Sequence, residues 1–443
     1  MSTVVCSDNG DRYPIIERVE LKFLECLSGG FQASHESTND DIRVAGSFQS
    51  TRNYGIDLFM SPNWGEPRCL PLATTNQLQP HRYDVTTTTG DPMQTIGVGM
   101  IGSGFMGLTY SEVVANHAKG CHLVAITGGR RAAKLAEDYG VAAESTFDQL
   151  LARDDIQAVV LATPDVARVE LTLKAAAAGK HILVEKPMAP TVAECDQMIA
   201  ACVAAKVNLS VVKTERYRKI TNNAKDLIDN GTIGPVQMLR TVSAFPLHLS
   251  KQLFEERAWM SDPKGGGLFM GMASHNTDFL RWLTGRNAIK VFAQATSYSD
   301  IPGPPLSVMA QIVFEDNIMA HMWITGELPS PSLPSSEVRF QCFGRDAMFD
   351  LENFEYLDVG KGDKWERIYT PERFDYLKEP KSPIRLFPHI GVIQEFIDSI
   401  HEQRPPKVGG AEGRAAVEIC EACLISARTG EAVTLPLKPS WSC

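Results

Sequence analysis

The stretch Ile96-Gly97-Val98-Gly99-Met100-Ile101-Gly102-Ser103-Gly104-Phe105-Met106-Gly107 decides the fold of the chain that follows it. An apolar run is followed directly by the pattern G-x-G-x-x-G and then by the helix-like stretch from Leu108 to Lys119. In such a turn the first glycine allows the tight bend, the second lets the backbone approach a pyrophosphate, and the third allows close packing of helix on strand. The free N–H groups at the start of the helix favour a phosphate. All six residues of the loop, Gly102 to Gly107, are therefore predicted to bind a dinucleotide.

Strand-like and helix-like stretches alternate after this loop. Short apolar runs separate longer stretches with helical patterns, and Thr191-Val-Ala-Glu194 matches the capping box that opens a helix. This alternation predicts a parallel sheet with helices on both faces, a doubly wound Rossmann-type domain over residues 93–213. The predicted strands are Ile96 to Ile101, Cys121 to Thr127, Gln157 to Ala162, His181 to Val184 and Asn208 to Val212; the predicted helices after the first are Arg130 to Tyr139, Val166 to Ala178 and Thr191 to Ala205.

Two short segments follow strands of this predicted sheet. Thr163-Pro164 follows one strand, and Glu185-Lys186-Pro187 follows another. Ligands of such sheets bind beyond the carboxyl ends of the strands. We therefore expect Thr163, Pro164, Glu185 and Lys186 to face the cofactor crevice.

Longer strand-like stretches follow Lys213, and they are joined by short loops. They predict a second, α+β domain over residues 214–438 with a large, mostly antiparallel open sheet. The predicted strands are Val236 to Phe245, Ala288 to Tyr298, Ser307 to Phe314, Asn317 to Thr325 and Glu337 to Phe343; the predicted helices are Ile220 to Asp229, Ser274 to Leu283, Ile390 to His401 and Ala411 to Arg428.

Composition narrows the function class. A net charge of −10 and a pI near 5.6 argue against a nucleic-acid or anionic-membrane partner. No apolar run is long enough to cross a bilayer, and the scattered cysteines favour a reducing cytoplasm. Cys420 and Cys423 have C-x-x-C spacing without a second pair, so no metal site is expected. Residues 1–92 contain few periodic apolar stretches, and we expect a poorly structured extension or an over-extended start there.

The motifs together resemble the Gfo/Idh/MocA family, named after glucose-fructose oxidoreductase and inositol dehydrogenase. The resemblance rests on the glycine loop and extends over residues 94–437. Its other motifs are Ala162-Thr163-Pro164, Glu185-Lys186-Pro187, Gly265-Gly266-Gly267, His275 followed by Asp278, and Ser426-Ala-Arg428-Thr-Gly430. It implies an NAD(P)-dependent enzyme that interconverts a secondary alcohol and a ketone on a sugar, cyclitol or sugar acid. It also implies a homo-oligomer, a dimer or tetramer, formed through the open face of the second sheet.

The same resemblance implies roles for Lys186 and His275. Lys186 would lie near the nicotinamide, contact the substrate and act as the proton relay, because loss of a hydride from a carbinol carbon is coupled to loss of a proton from its oxygen. His275 would contact the substrate and help Lys186 to orient or deprotonate it. The family's usual aspartate one helical turn before this histidine is replaced by Gly271, and a core histidine without a chemical role is the alternative for His275.

Three further residues are candidate site residues, one because it departs from the family pattern and two because they match it. Arg168 stands near a position where many members carry a histidine; it favours an acidic substrate such as a uronate, or it is a solvated helix residue. Arg216 is assigned to the cofactor and Tyr217 to the substrate, because Thr214-Glu215-Arg216-Tyr217-Arg218 matches a family stretch that contains an arginine.

Cofactor choice is argued from the end of the second strand. NAD-specific folds place a carboxylate there to bind the ribose hydroxyl, whereas this chain reads Thr127-Gly128-Gly129-Arg130-Arg131. Guanidinium groups match phosphate in charge and geometry. We therefore predict NADP rather than NAD, with the alternative that Arg130 and Arg131 merely begin a solvated helix.

Two other functions remain open from the sequence. The first is a redox-neutral, NAD-dependent glycosidase, in which a sugar hydroxyl is oxidised only transiently. The second is a non-catalytic, dinucleotide-binding regulator, which the glycine at position 271 favours.

Overall fold

The computed structural model describes residues 95–330, 333, 338–353, 355–373 and 379–437. The prediction of a poorly structured extension over residues 1–92 lies outside the described residues. The described part contains a parallel sheet followed by a larger, mostly antiparallel sheet, so the predicted fold class is confirmed.

The first sheet has the strand order β3-β2-β1-β4-β5-β6, and all its pairs are parallel. This is the order of the dinucleotide-binding doubly wound fold, in which ligands bind where the order reverses, between β1 and β4. Its strands are β1 (Ile96–Ile101), β2 (Cys121–Thr127), β3 (Ala142–Ala143), β4 (Ala158–Leu161), β5 (His181–Val184) and β6 (Leu209–Val211). Its helices are α1 (Phe105–Asn116), α2 (Ala132–Tyr139), α3 (Phe147–Leu151), α4 (Arg168–Ala177) and α5 (Val192–Ala205).

Local sequence explains most of these boundaries. Thr191 and Glu194 form the expected capping box at the start of α5. Gly140 ends α2 in the left-handed conformation, with a φ of 64°. α2 begins two residues later than predicted, because Arg131 is its N-cap with the non-helical angles φ −104° and ψ 5°.

The second sheet has the order β14-β13-β12-β11-β7-β10-β9-β8-β15. Its neighbouring strands pair antiparallel except β7 and β10, which are parallel. Its strands are β7 (Val236–Ala244), β8 (Ala288–Thr296), β9 (Ser307–Phe314), β10 (Met319–Thr325), β11 (Val338–Gly344), β12 (Met348–Glu352), β13 (Tyr356–Lys361), β14 (Lys364–Tyr369) and β15 (Val433–Thr434). The helices of this half are α6 (Lys219–Asp229), α7 (Lys251–Glu256), α8 (Gly267–Thr284), α9 (Pro383–His401) and α10 (Gly410–Thr429).

Sequence patterns missed β12 to β15 and shortened α8 and α9. β14 carries polar residues on both faces and is exposed along most of its length, so it lacks the alternation that marks a half-buried strand. α8 begins at the triple glycine rather than at Ser274, since its first two turns are buried on nearly every side and show no helical periodicity.

Helix α9 covers the first sheet although it follows the second in sequence. Phe396 and Ile397 of α9 join the cluster of buried residues that contains Val98 of β1 and Val113 of α1. The opposite face of the first sheet is covered by α3, α4 and α5. One face of the cofactor-binding sheet is therefore completed by residues almost 300 positions downstream of β1.

Candidate active site

The glycine loop is held by close backbone contacts. Gly102 has a φ of 109°, and a Cβ there would lie 2.3 Å from the Ala162 carbonyl oxygen. A Cβ on Gly107 would lie 2.0 Å from the Gly102 carbonyl oxygen. Side chains at these two positions would therefore displace backbone, as the motif predicts for its first and third glycines.

The start of α1 fits the pyrophosphate of a dinucleotide. Gly104 is the N-cap of α1, no side chain caps the helix, and no acidic residue lies in its first turn. A Cβ on Gly104 would meet nothing within 4 Å, so space is open over the middle glycine. Across the loop the buried Thr163 hydroxyl has no hydrogen-bond partner among the described residues. Uncapped N–H groups beside open space are what an anionic phosphate requires.

The end of β2 packs against this loop. A Cβ on Gly129 would lie 2.6 Å from the Ser103 hydroxyl, and the Arg131 backbone N–H donates to that hydroxyl at 3.2 Å. Arg130 and Arg131 are exposed at the N-terminus of α2. Both guanidinium groups are thus attached where the ribose of a dinucleotide is bound in this fold.

Lys186 connects the first sheet to α8. It lies two residues after β5, and its ammonium group donates to the Gly271 carbonyl oxygen at 2.9 Å. His275 lies one helical turn further along α8, so the tertiary structure brings Lys186 and His275 to the same part of the helix.

Glu185 is buried beneath Lys186 and is fixed from two sides. Its carboxylate accepts a hydrogen bond from the Tyr110 hydroxyl at 2.5 Å and another from the Lys186 backbone N–H at 2.8 Å. Burial and the neighbouring carboxylate raise the pKa of Tyr110 well above its ordinary value, so the phenol stays protonated as the donor. Glu185 therefore orients the backbone of Lys186.

Lys213 repeats this arrangement on the neighbouring strand. It lies two residues after β6, which pairs with β5, and its ammonium donates to the Ser274 carbonyl oxygen at 2.8 Å. Its side chain is 1% exposed, and burial lowers its pKa although the charge of Asp278 opposes that change. Sequence reasoning missed Lys213; the available signal was a lysine just after the predicted strand Asn208 to Val212, as Lys186 comes just after its own strand.

His275 lies in a strongly positive surrounding. Burial lowers its pKa well below 6.5, and the charges of Lys186, Lys213 and Arg218 lower it further. Its Nδ1 is buried without a hydrogen-bond partner among the described residues. The imidazole is therefore neutral at physiological pH, with a nitrogen whose hydrogen bond is not supplied by the described protein.

Arg216 forms a two-pronged ion pair with Asp278 of α8. Its Nε and Nη2 atoms donate to the two carboxylate oxygens at 2.9 and 2.7 Å. Asp278 is 1% exposed, so this is a buried pair that holds the segment after β6 on α8. Tyr217, the next residue, packs against Gly391 of α9.

Arg168 differs from one of the two sequence expectations, that of a solvated helix residue. It is buried rather than solvated, and its guanidinium donates to the Thr163 carbonyl oxygen at 3.0 Å and to the Pro187 carbonyl oxygen. The solvated alternative is therefore wrong. Arg168 holds together the two segments that carry Thr163-Pro164 and Glu185-Lys186-Pro187.

Three residues from elsewhere complete the surroundings of the crevice. Asp165 accepts a hydrogen bond from the Gly266 N–H at 2.9 Å and so attaches the triple-glycine loop to the first sheet. Arg385 of α9 donates to the Thr109 hydroxyl at 3.0 Å and stacks over the Phe105 ring at 4.5 Å. His389, one turn further along α9, lies edge-on to Tyr110.

Neither a metal site nor a membrane span is found within the described ranges. These residues contain no group of three or more side chains suited to a metal ion. Cys420 and Cys423 are buried, and burial raises the pKa of the Cys420 thiol to about 12. In the same part of the chain, every helix is too short or too polar to cross a bilayer.

Two family models match consecutive parts of the chain. Residues 96–213 match the oxidoreductase family with an NAD-binding Rossmann fold, and residues 221–350 match the GFO/IDH/MocA C-terminal domain. Together they cover more than half of the 443 residues. The chain belongs to the Gfo/Idh/MocA family. The family resemblance predicted from the sequence is therefore confirmed. The prediction that the protein is an oxidoreductase is confirmed through membership of this family.

Individual relatives are similar over different lengths. The 2,7-anhydro-N-acetylneuraminate hydratase of Mediterraneibacter gnavus is 27% identical over 44% of this chain, and the match spans only 50% of the hydratase. The inositol 2-dehydrogenase of Salmonella typhimurium is 24% identical over 78% of this chain and 99% of its own length. The WlbA dehydrogenase of Bordetella pertussis, solved with NADH and UDP-GlcNAcA, has a TM-score of 0.67 at 25% identity over 78% of this chain and 99% of its own.

The roles of the middle and third glycines can be separated experimentally. Gly107→Ala should destabilise the cofactor-free protein by about 1–3 kcal/mol, because its methyl group meets backbone. Gly104→Ala should leave that stability unchanged and weaken dinucleotide binding about tenfold or more, since its methyl group would enter the open space. Thermal unfolding without cofactor and fluorescence titration with NADP+ and NAD+ measure the two effects. Equal loss of stability in both variants would contradict the assignment.

Proposed function

We propose that this member of the Gfo/Idh/MocA family is an NAD(P)-dependent oxidoreductase that interconverts a secondary alcohol and a ketone on a sugar, cyclitol or sugar acid. The observation that carries this proposal is the meeting of Lys186 and His275 on α8 beyond the carboxyl end of β5. Relatives named as inositol and sugar dehydrogenases support the substrate class.

The residues have different roles around one substrate oxygen. When bound, the cofactor exchanges a hydride with the substrate carbon. In oxidation Lys186, in its neutral amine form, takes the proton from the substrate hydroxyl and becomes the ammonium; in reduction the ammonium returns that proton. Glu185 and Gly271 hold the two ends of that lysine. His275, kept neutral by burial and by nearby cations, can donate or accept a hydrogen bond at the same oxygen. Gly102 to Gly107, Thr163 and Pro164 surround the cofactor.

Arg168 and Arg216 act in this proposal by positioning. The hydrogen bonds of Arg168 to the Thr163 and Pro187 carbonyls fix the walls of the crevice, so we no longer assign it to substrate contact. The pairing of Arg216 with Asp278 fixes α8 and thereby His275. Tyr217 stays a proposed substrate contact, and its ring packs against Gly391 of α9.

A redox-neutral reaction is the second candidate. The similarity to a hydratase supports it, because hydration involves no net oxidation or reduction of a cofactor. The family's enzyme character favours either reaction over a non-catalytic regulator. The two enzyme candidates differ in whether reduced cofactor accumulates.

A substrate screen tests the proposal and the role of Lys186. The panel contains myo-inositol, D-glucose and D-glucuronate with NADP+ or NAD+, read as absorbance at 340 nm, and p-nitrophenyl glycosides read as released nitrophenol. At least one alcohol should be oxidised, and Lys186→Met should lower kcat by about a hundred- to ten-thousand-fold with cofactor binding retained. Lys174→Met, on the exposed side of α4, is the matched control. Aglycone release without net reduction favours the second candidate, and unchanged turnover in Lys186→Met refutes the proton relay.

NADP is proposed as the preferred cofactor because Arg130 and Arg131 stand where an NAD-specific fold carries an acid. In the double variant Arg130→Ser/Arg131→Ser, each lost arginine contact should lower kcat/KM with NADP+ by about tenfold or more. The kcat/KM with NAD+ should change little. Arg345→Ser, an exposed arginine on the second half of the chain, serves as control. A wild-type enzyme that uses NAD+ more efficiently than NADP+ would contradict this assignment.

The open face of the second sheet is proposed as the homo-oligomer interface. Its outward positions include Met319 and Met309, which are 54% and 52% exposed, and Phe292. Met319 stands directly opposite Met238 on the neighbouring strand, so these two apolar side chains lie side by side on that face. An exposed patch of this kind on a sheet usually marks a protein contact.

Charged residues in this patch should therefore separate the subunits. Met238→Glu/Met319→Glu should convert the oligomer to a monomer in light scattering coupled to size-exclusion chromatography, because paired carboxylates cannot be buried without partners. Val203→Glu, on the 72% exposed position of α5, should leave the oligomer intact. A wild-type monomer, or an oligomer that survives the double substitution, would refute this interface.

A further inference from the structure

Helix α9 brings a histidine into the surroundings of the crevice from almost 200 residues beyond β6. Arg385 attaches this part of α9 to α1 through Thr109 and Phe105. Tyr217 packs against the same helix at Gly391. His389 lies between these two anchors, one helical turn after Arg385 and on the same side of the helix.

His389 contacts the residues that position Lys186. Its ring lies 5.7 Å from the Tyr110 ring at an interplanar angle of 73°, the edge-to-face geometry that aromatic rings favour. Tyr110 donates to Glu185, and Glu185 accepts the backbone N–H of Lys186. His389 is thus separated from the proposed proton relay by one tyrosine and one glutamate.

The hydrogen bonding of His389 resembles that of His275. The Nδ1 atom of each ring is buried without a partner among the described residues, while each histidine residue as a whole is half-buried. Buried polar atoms are rarely left without a partner unless a ligand or water supplies it. The charge of Arg218 lowers the pKa of both imidazoles. A charge on His389 would also lower the pKa of His275, so the two imidazoles belong to one electrostatic cluster.

The surroundings keep His389 neutral as well. Burial lowers its pKa well below 6.5, and the charges of Arg385 and Arg218 add to that effect. A neutral imidazole carries one donor and one acceptor nitrogen, which matches the hydroxyl groups of a polyol better than it matches an anion.

We propose that His389 is a substrate-binding residue that holds a second hydroxyl group of the substrate, adjacent to the hydroxyl group handled by Lys186 and His275. The proposal rests on the proposed function, since it assumes a substrate with neighbouring hydroxyl groups. It assigns specificity for a vicinal diol to α9, an element outside both lysine-bearing strands and the triple-glycine helix.

Two substitutions separate hydrogen bonding from packing. His389→Phe keeps an aromatic ring against Tyr110 and removes both nitrogens, whereas His389→Asn keeps a polar group. With the best compound of the screen, His389→Phe should raise KM about tenfold, the loss expected for one hydrogen bond, with kcat and the dissociation constant of NADP+ changed by less than about threefold. His389→Asn should recover part of the affinity.

Monodeoxy analogues of that compound identify the hydroxyl group. Removal of one particular hydroxyl should raise KM about tenfold in the wild type and have no further effect in His389→Phe, because the same contact is lost only once. His401→Phe is the control: His401 lies on the same helix, but its Nε2 is 3.0 Å from the Gly120 carbonyl oxygen, so KM should not change.

The outcomes distinguish this proposal from the proposed function. Turnover by the wild type with an unchanged KM in His389→Phe overturns the role of His389 alone. If no compound is turned over, binding of the panel to the NADP+-loaded protein is measured by saturation-transfer NMR. Binding that is weakened by His389→Phe then supports His389 while the proposed function fails, and binding that is unaffected, or absent in the wild type, overturns His389. If His389→Phe does not fold in thermal unfolding, the same readings are taken on His389→Asn, where an unchanged KM overturns the proposal.

Discussion

The candidate site depends on two lysines that end neighbouring strands. Lys186 after β5 and Lys213 after β6 donate to the Gly271 and Ser274 carbonyl oxygens, which lie one turn apart on α8. These bonds attach the cofactor-binding sheet to the helix that carries His275. The lysine ammonium groups make charge-assisted hydrogen bonds, and the helix carbonyls that accept them lie at fixed spacing, so the two contacts set the position of α8 along its axis as well as its distance from the sheet. The buried pair of Arg216 with Asp278 adds a third attachment one turn further along.

This arrangement concentrates positive charge in a crevice that must also contain a cofactor. Glu185 is engaged by Tyr110 and by backbone, and Asp278 by Arg216, so each of these carboxylates has its own partner. The imidazoles of His275 and His389 respond by remaining neutral, since a proton on either would be buried among cations. Position 271 contributes a backbone carbonyl to Lys186 where the family usually supplies a carboxylate. A Cβ there would meet only Trp259 ring atoms at 3.6 and 3.7 Å, so packing does not require this glycine.

Local signals predicted the first sheet well and the second less well. The glycine loop, the Thr191 capping box and the buried apolar strands each depend on neighbours in sequence, and each was found where expected. Strands β12 and β13 were missed although outward Asp350 and Asp358 alternate with buried neighbours, because runs of five and six residues are weak signals; β14 lacks the alternation. The alternative of a solvated Arg168 was left open because a helical position before an alanine-rich stretch carries no local sign of burial; the carbonyl oxygens of Thr163 and Pro187 accept its hydrogen bonds.

The sequence by itself determined the fold class, the family and the dinucleotide loop, because each is carried by short motifs of neighbouring residues. Lys186 and His275 stay its candidates for the chemistry. Only the tertiary structure decided which side chains surround them. The partners of Lys186 and Tyr110, the burial of Lys213 and the arrival of His389 all arise from contacts between residues separated by some 60 to 280 positions. Contacts of that range follow from how α8 and α9 pack on the strand ends, and no local periodicity records that packing.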